Sequence, residues 1–283
     1  MKTGLIMEGG AMRGMFTAGV IDVMMEHGIY FDGAIGVSAG ACFGCNYKSK
    51  QIGRVIRYNT RFSQDKRYGG FGVLLKTGDY YSKEFCYREV PTKYDIFDFD
   101  TFEANPMEFY IVCTDVDTGK AVYHKQENRH DHGFEWIRAS ASMPLVSRMV
   151  EIDGRKYLDG ALADSIPVQQ FESLGYDRNI VILTQPLGFR KHPDTLLPVM
   201  KLYYRKYPKL VTSMSRRHEQ YNETLDYIAR KEAAGNLLVI RPPETLPIAR
   251  TEKDPEKLRA VYEIGRKTAE ARISDIQDYL QKK

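Results

Sequence analysis

The sequence has no long apolar run. Nowhere do about 18 apolar residues follow one another, the length a membrane-crossing helix needs. At the amino terminus, Met1–Glu8 lacks the apolar core of about 7 to 15 residues that defines a secretory signal, because Glu8 and the glycines after it interrupt it. The protein is therefore expected to stay where it is made, in the cytoplasm. Low-complexity tracts and repeats of roughly 20 to 50 residues are also missing, which excludes solenoids and propellers. Cysteine is scarce: Cys42, Cys45, Cys86 and Cys113. Cys42-Phe43-Gly44-Cys45 has the C-x-x-C form, but no second pair completes a four-ligand zinc site. The two thiols read as small buried side chains one turn apart on a helix, and no metal or cofactor is expected.

What is present is ordinary for a globular protein: 283 residues, 43% hydrophobic and 28% charged. The length suits one large α/β domain, or one domain with a smaller appendage. Charge is uneven. Residues 1–185 hold 21 Lys+Arg and 24 Asp+Glu, whereas residues 186–283 hold 20 and 13. Pro186, Gly188, Pro193 and Pro198 cluster where the balance changes sign, so the expected organisation is a main domain over 1–185 and a basic, mainly helical region over 186–283.

The chain opens strand, glycine turn, helix, strand, turn, helix. Gly4 to Met7 is a short apolar run, Met12 to Glu26 is helical, Ala34 to Val37 is apolar again, and Ala39 to Tyr47 is rich in small helix formers. Further strands are expected over Glu108–Thr114, Asn179–Thr184 and Leu237–Arg241. This alternation predicts an α/β fold with a mostly parallel central sheet covered by helices. Lys257 to Leu280 reads as one long amphipathic helix. Residues 62–82, glycine-rich beside apolar side chains, read as a mobile flap.

Two turns carry chemistry. Gly36-Val37-Ser38-Ala39-Gly40 fits G-x-S-x-G, a nucleophile elbow, in which a serine on a sharp strand-to-helix turn needs tiny neighbours. The helix that follows points its amide end at the serine. Gly9-Gly10-Ala11-Met12-Arg13-Gly14 also joins a strand to a helix, and such a turn presents backbone N–H groups to an anion. That anion is either a dinucleotide pyrophosphate or the oxyanion of an acyl-transfer intermediate. A dinucleotide fingerprint requires glycine where Ala11 stands and an acid at the end of the second strand, where Ser38 stands instead. A base for Ser38 has two sources. None of the six histidines sits in a small-residue turn after a strand, and His130-Asp131-His132 lies in a polar run. Asp159 follows a hairpin turning at Asp153-Gly154 and precedes Gly160 and Ala161; by itself an Asp-Gly pair is also a plain turn.

Together these residues resemble the patatin-like phospholipases, over roughly Leu5 to Ile182. In that family a G-G-G-x-R/K-G loop forms the oxyanion hole, matched by Gly9, Gly10, Ala11, Arg13 and Gly14 with Ala11 departing from the third glycine. The nucleophile of the family matches Ser38, flanked by Gly36 and Gly40. The aspartate of its D-G-A/G motif matches Asp159, followed by Gly160 and Ala161. Arg138 to Pro144, then Ile152-Asp153-Gly154, look like the stretch preceding that aspartate. The resemblance implies a three-layer α/β/α fold and a Ser–Asp dyad without histidine. It also implies a lipid or other acyl-ester substrate cleaved through an acyl-Ser38 intermediate, in a phospholipase A or lysophospholipase type of reaction. Arg13 either places a phosphate or pairs with a nearby carboxylate.

Residues 200–217 carry Lys201, Arg205, Lys206, Lys209, Arg216 and Arg217 among tyrosines. They read either as a solvated helix or as a peripheral contact with an anionic membrane; nucleic acid is not expected. Two competing functional readings are a carboxylesterase with a histidine triad and a non-catalytic nucleotide- or anion-binding module.

Overall fold

A computed structural model describes residues 1–281. In chain order the elements are β1 (Lys2–Met7), a 3-10 turn (Ala11–Arg13), α1 (Gly14–Glu26), β2 (Gly33–Val37), α2 (Ala39–Lys48), α3 (Arg54–Phe62) and α4 (Phe71–Thr77). A π-helical segment (Phe85–Tyr94), α5 (Phe99–Ala104), β3 (Glu108–Asp115), β4 (Ala121–Lys125), α6 (Glu135–Ser140), β5 (Val150–Ile152) and β6 (Arg155–Asp159) follow. The remainder comprises α7 (Val168–Ser173), β7 (Tyr176–Ile182), α8 (Leu197–Tyr203), α9 (Pro208–Ala233), β8 (Leu237–Ile240), α10 (Pro255–Glu270) and α11 (Ile273–Gln281).

The strands form one sheet in the order β5-β6-β3-β2-β1-β7-β8, with β4 also paired to β3. Strands β1, β2, β3, β7 and β8 are parallel. Their apolar runs are continuous because both faces are covered. Side chains alternate across the sheet: Leu5, Met7 and Ala34 pack into the core shared with α1, α2 and α10, while Ile6, Ile35 and Val37 pack with α7 and α9. The result is the expected α/β/α arrangement, followed by the helical segment α9–α11.

Residues after 186 contribute to this same sheet and core. β8 pairs with β7 from Asn179↔Leu237 to Ile182↔Ile240. α10 crosses α1 closely enough that a Cβ on Gly19 would lie 2.1 Å from the Tyr262 carbonyl, and one on Gly265 equally close to that of Phe16. The single helix expected over 257–280 is two helices, broken at Ala271–Arg272. There the Arg272 N–H donates to Ala269 O (2.9 Å), a tightened last turn, and α11 then buries Ile276 and Tyr279.

Residues 62–82 are partly regular: Gly69 bridges to Tyr81, and α4 lies between them. No helix among the described residues is long and apolar enough to cross a membrane.

Candidate active site

β2 and β6 meet end to end along one edge of β3. Tyr110 to Val112 bond β2 on that edge and β4 on the other. At Cys113, one residue past the Val37↔Val112 pair, the edge passes to β6, with Asp159 opposite. The strand that delivers Ser38 therefore stops where the strand that delivers Asp159 stops. Across this junction the Ser38 hydroxyl donates to Asp159 Oδ2 at 2.8 Å.

Both ends are built on missing side chains. A Cβ on Gly40 would stand 2.3 Å from the Met7 carbonyl, and one on Gly160 2.1 Å from that of Val112. Ser38 itself has φ 55° and ψ −121°, a strained conformation for a residue with a side chain. Its N–H is held by Ser140, whose Oγ accepts at 2.8 Å and in turn donates to Val112 O at 2.6 Å. Asp159 is fixed on several sides. Its Oδ1 accepts from Ala161 N–H (2.8 Å), its carbonyl from Thr114 Oγ1 (2.8 Å), and its own N–H donates to Ser142 O (2.9 Å).

The Gly9–Gly14 loop lies against the elbow. A Cβ on Gly9 would be 3.0 Å from Val37 O, and one on Gly14 would be 2.9 Å from the Ala39 Cβ. Ala11 has φ 50°, so alanine occupies a left-handed position that the matching third glycine would hold without strain. The N–H groups of Gly9, Gly10 and Ala11 donate to no acceptor among the described residues. They are free to serve an anion.

Ser38 and Ala11 open onto a cavity walled mainly by Phe43, Tyr58, Tyr81, Tyr87, Val90 and Ile137. This aromatic and aliphatic lining suits an apolar ligand group. Burial raises the pKa of Asp159 above the usual carboxylate value, against the lowering effects of the Ala161 N–H and the Arg217 charge. Cys42 also faces the cavity; Cys42 and Cys45 are free thiols, and burial pushes both upward, so they are poor nucleophiles.

No histidine donates to or accepts from Ser38 or Asp159 among the described residues. His27 pairs with Glu270 (3.1 Å), His132 with Asp153 (3.2 Å), and the His124 ring stacks on Trp136. Arg13 makes no ion pair among the described residues, and its Nε is buried without a partner.

Sequence reasoning did not single out Ser140, Glu8, Lys191 or the contact made by Arg217. Glu8 is buried, with Oε1 accepting from Tyr221 OH (2.6 Å) and Oε2 from Thr184 N–H (2.6 Å). Arg217 donates from Nε to Ala161 O at 2.6 Å. These residues come from distant segments and share no local motif.

Residues 5–172 match the family model described as patatin-like phospholipase. Residues 207–281 match a second, described as a domain of unknown function, DUF6363. The uncharacterized protein YjjU of Escherichia coli K12 is 28% identical over 279 residues, 94% of this chain and 75% of its own. The lysophospholipase nte1 of Aspergillus niger is 28% identical over 183 residues, 62% of this chain but 11% of its own length. The crystal structure of VipD from Legionella pneumophila overlaps 95% of this chain and 67% of its own, at 11% identity and a TM-score of 0.44.

Proposed function

Because the chain belongs to the patatin-like phospholipase family, we propose that it hydrolyses carboxylic esters of lipids through a Ser38–Asp159 dyad. The observation that carries this reading is the 2.8 Å hydrogen bond from the Ser38 hydroxyl to Asp159 Oδ2 at the mouth of an apolar cavity.

Asp159 takes the hydroxyl proton as Ser38 Oγ attacks the ester carbonyl carbon. The negative charge passes to the former carbonyl oxygen, which the free amides of Gly9, Gly10 and Ala11 receive. Collapse of this intermediate breaks the ester C–O bond. The departing alcohol takes the proton from Asp159, leaving the acyl group on Ser38. A water molecule, deprotonated by Asp159, then attacks the acyl carbon, and the carboxylic acid leaves as Ser38 recovers its proton. The apolar cavity beside Ser38 suits the acyl chain. Arg13, Gly14, Gly36, Gly40, Gly160 and Ala161 shape the site. A histidine triad is less well supported, because no imidazole reaches the hydroxyl.

The reading includes peripheral contact with a membrane surface. Leu202 and Tyr203 are 66% and 69% exposed, beside the exposed cations Lys201, Arg205 and Lys206.

The test uses a neutral nitrophenyl ester and a fluorophosphonate probe. Wild-type protein should turn over the ester and be labelled at Ser38; Ser38→Ala and Asp159→Asn should each lose at least about 100-fold in turnover. Wild-type-like turnover in both variants would remove the dyad.

A further inference from the structure

The cavity beside Ser38 is apolar along much of its wall but carries hydroxyl groups further in. α2 leads that wall away from the nucleophile through Ala39, Cys42 and Cys45. Cys45 lies two turns past Ser38, about 10 Å at 1.5 Å per residue. There the wall passes to α3. Arg54 donates from Nη1 to the Asn46 side chain, next to Cys45, at 2.9 Å. The Arg54 guanidinium lies 5.2 Å from the centre of the Tyr58 ring. Beside Tyr58, Asn59 Oδ1 accepts from Tyr68 OH at 2.8 Å, and the Tyr68 ring meets that of Tyr81 edge-on at 5.8 Å. Tyr87 follows Cys86, whose thiol donates to the Tyr68 carbonyl at 3.1 Å. Tyr58, Tyr68, Tyr81 and Tyr87 all line the cavity.

Most polar groups here are satisfied within the protein. Arg54 also donates to the Asp95 carbonyl from Nε and Nη2 (3.1 and 2.6 Å), and Asn59 Nδ2 donates to Val55 O (2.9 Å). These bonds hold the wall in place. The hydroxyls of Tyr58, Tyr81 and Tyr87 differ: none meets an oxygen or nitrogen partner in hydrogen-bonding geometry among the described residues. Tyr87 has only the weakly bonding Cys42 thiol beside it. The three side chains are half-buried, and the cavity opens beside them. Burial pushes all three phenols above their ordinary value, so each stays a neutral donor at working pH. A saturated chain filling this end would leave the hydroxyls facing alkyl carbon, and enclosed polar groups without partners are costly. Tyr58, reached two helical turns beyond Ser38, is remote from the reacting carbonyl and acts only on the far part of the acyl chain.

We propose that Tyr58, Tyr81 and Tyr87 make the cavity selective for acyl chains that carry an oxygen function, a hydroxyl or keto group, about 10 Å from the ester carbonyl. This rests on the ester hydrolase reading, and it names the acid half of the substrate: an oxygenated, medium-length acyl group. A chain hydroxyl both donates and accepts, so it serves two phenols at once. A pocket that hydrogen-bonds a substrate hydroxyl discriminates against the analogue lacking it, whereas a uniformly apolar wall favours the bare chain.

The test compares nitrophenyl octanoate with nitrophenyl 8-hydroxyoctanoate by kcat/KM. Wild-type protein should prefer the hydroxylated ester by about tenfold, the scale of a hydrogen bond whose loss leaves a buried group unpaired. Tyr58→Phe and Tyr81→Phe each keep the ring and remove the hydroxyl. Each should slow the hydroxylated ester and speed the plain one, lowering the preference at least about threefold. Both esters are measured on the same protein, so a loss of folded material cancels in the ratio. A wild-type preference for octanoate, or a ratio unmoved in both variants, would overturn the proposal. Wild-type protein inactive on both esters would instead overturn the hydrolase reading. Selectivity is then read by calorimetry of Ser38→Ala protein with the two methyl esters: tighter binding of methyl 8-hydroxyoctanoate by the same factor supports the subsite, and equal affinity overturns it.

Discussion

Ser140 holds Ser38 in its strained conformation: one hydroxyl accepts the Ser38 N–H at 2.8 Å and donates to the Val112 carbonyl at 2.6 Å. Both partners are buried, and Val112 is the last residue of β3 to pair with β2. Ser140 thus ties the elbow to the strand along which Asp159 arrives. Ser140→Ala would leave a donor and an acceptor unpaired, at about 1–3 kcal/mol. The variant should melt several degrees lower and react more slowly with a fluorophosphonate while still binding substrate. An unchanged labelling rate would mean that the elbow keeps its shape without Ser140.

Asp159 must be ionised to accept a proton, and burial raises its pKa above the ordinary carboxylate value. Its active form is therefore lost as pH falls through a point higher than for an exposed aspartate. The kcat/KM for a neutral ester should show an acid limb displaced upward accordingly, and Asp159→Asn should lower the rate without reproducing that limb. A limb at the position of an unperturbed aspartate would argue against Asp159 as the base.

Gly160 tests the end-to-end meeting of β2 and β6. An alanine there would place its Cβ 2.1 Å from the Val112 carbonyl, a backbone atom that cannot swing away. Gly160→Ala should destabilise by about 3 kcal/mol, seen as a lower melting temperature, and should move Asp159 off Ser38 with loss of turnover. Gly154→Ala, in the hairpin turn of the same β5–β6 unit with nothing near the added atom, should disturb the dyad much less, although its φ of 74° still costs some stability.

The parts of the site carried by short local patterns were legible. Leu5 to Gly14 and Ala34 to Gly40 announce strand, turn and helix through apolar runs and glycines, and the Asp153-Gly154 turn has positive φ at both positions, as a two-residue hairpin requires. What was not legible lacks a local signal. β4 consists of five half-buried residues with no apolar run and exists because β3 offers an edge. The break between α10 and α11 carries neither glycine nor proline, and buried Ala269 and Ile276 keep helical spacing across it. Arg217 reaches the Ala161 carbonyl beside Asp159 only because α9 packs on the sheet, and a basic run in the sequence gives no sign of which cation turns inward.

Asp22 contributes a pH dependence that is independent of catalysis. It lies on α1, buried, with Oδ2 accepting from Tyr262 OH (2.7 Å) and Gly53 N–H (3.0 Å). Burial raises its pKa to about 6. The folded state therefore favours the protonated acid, and stability is lost as pH rises from about 4 to about 6, by up to about 3 kcal/mol. Asp22→Asn cannot ionise and keeps an acceptor. It should match wild type near pH 4 and melt at a higher temperature above pH 7. A variant that melts lower at both would show that the ionised carboxylate is worth more to its two donors than its desolvation costs.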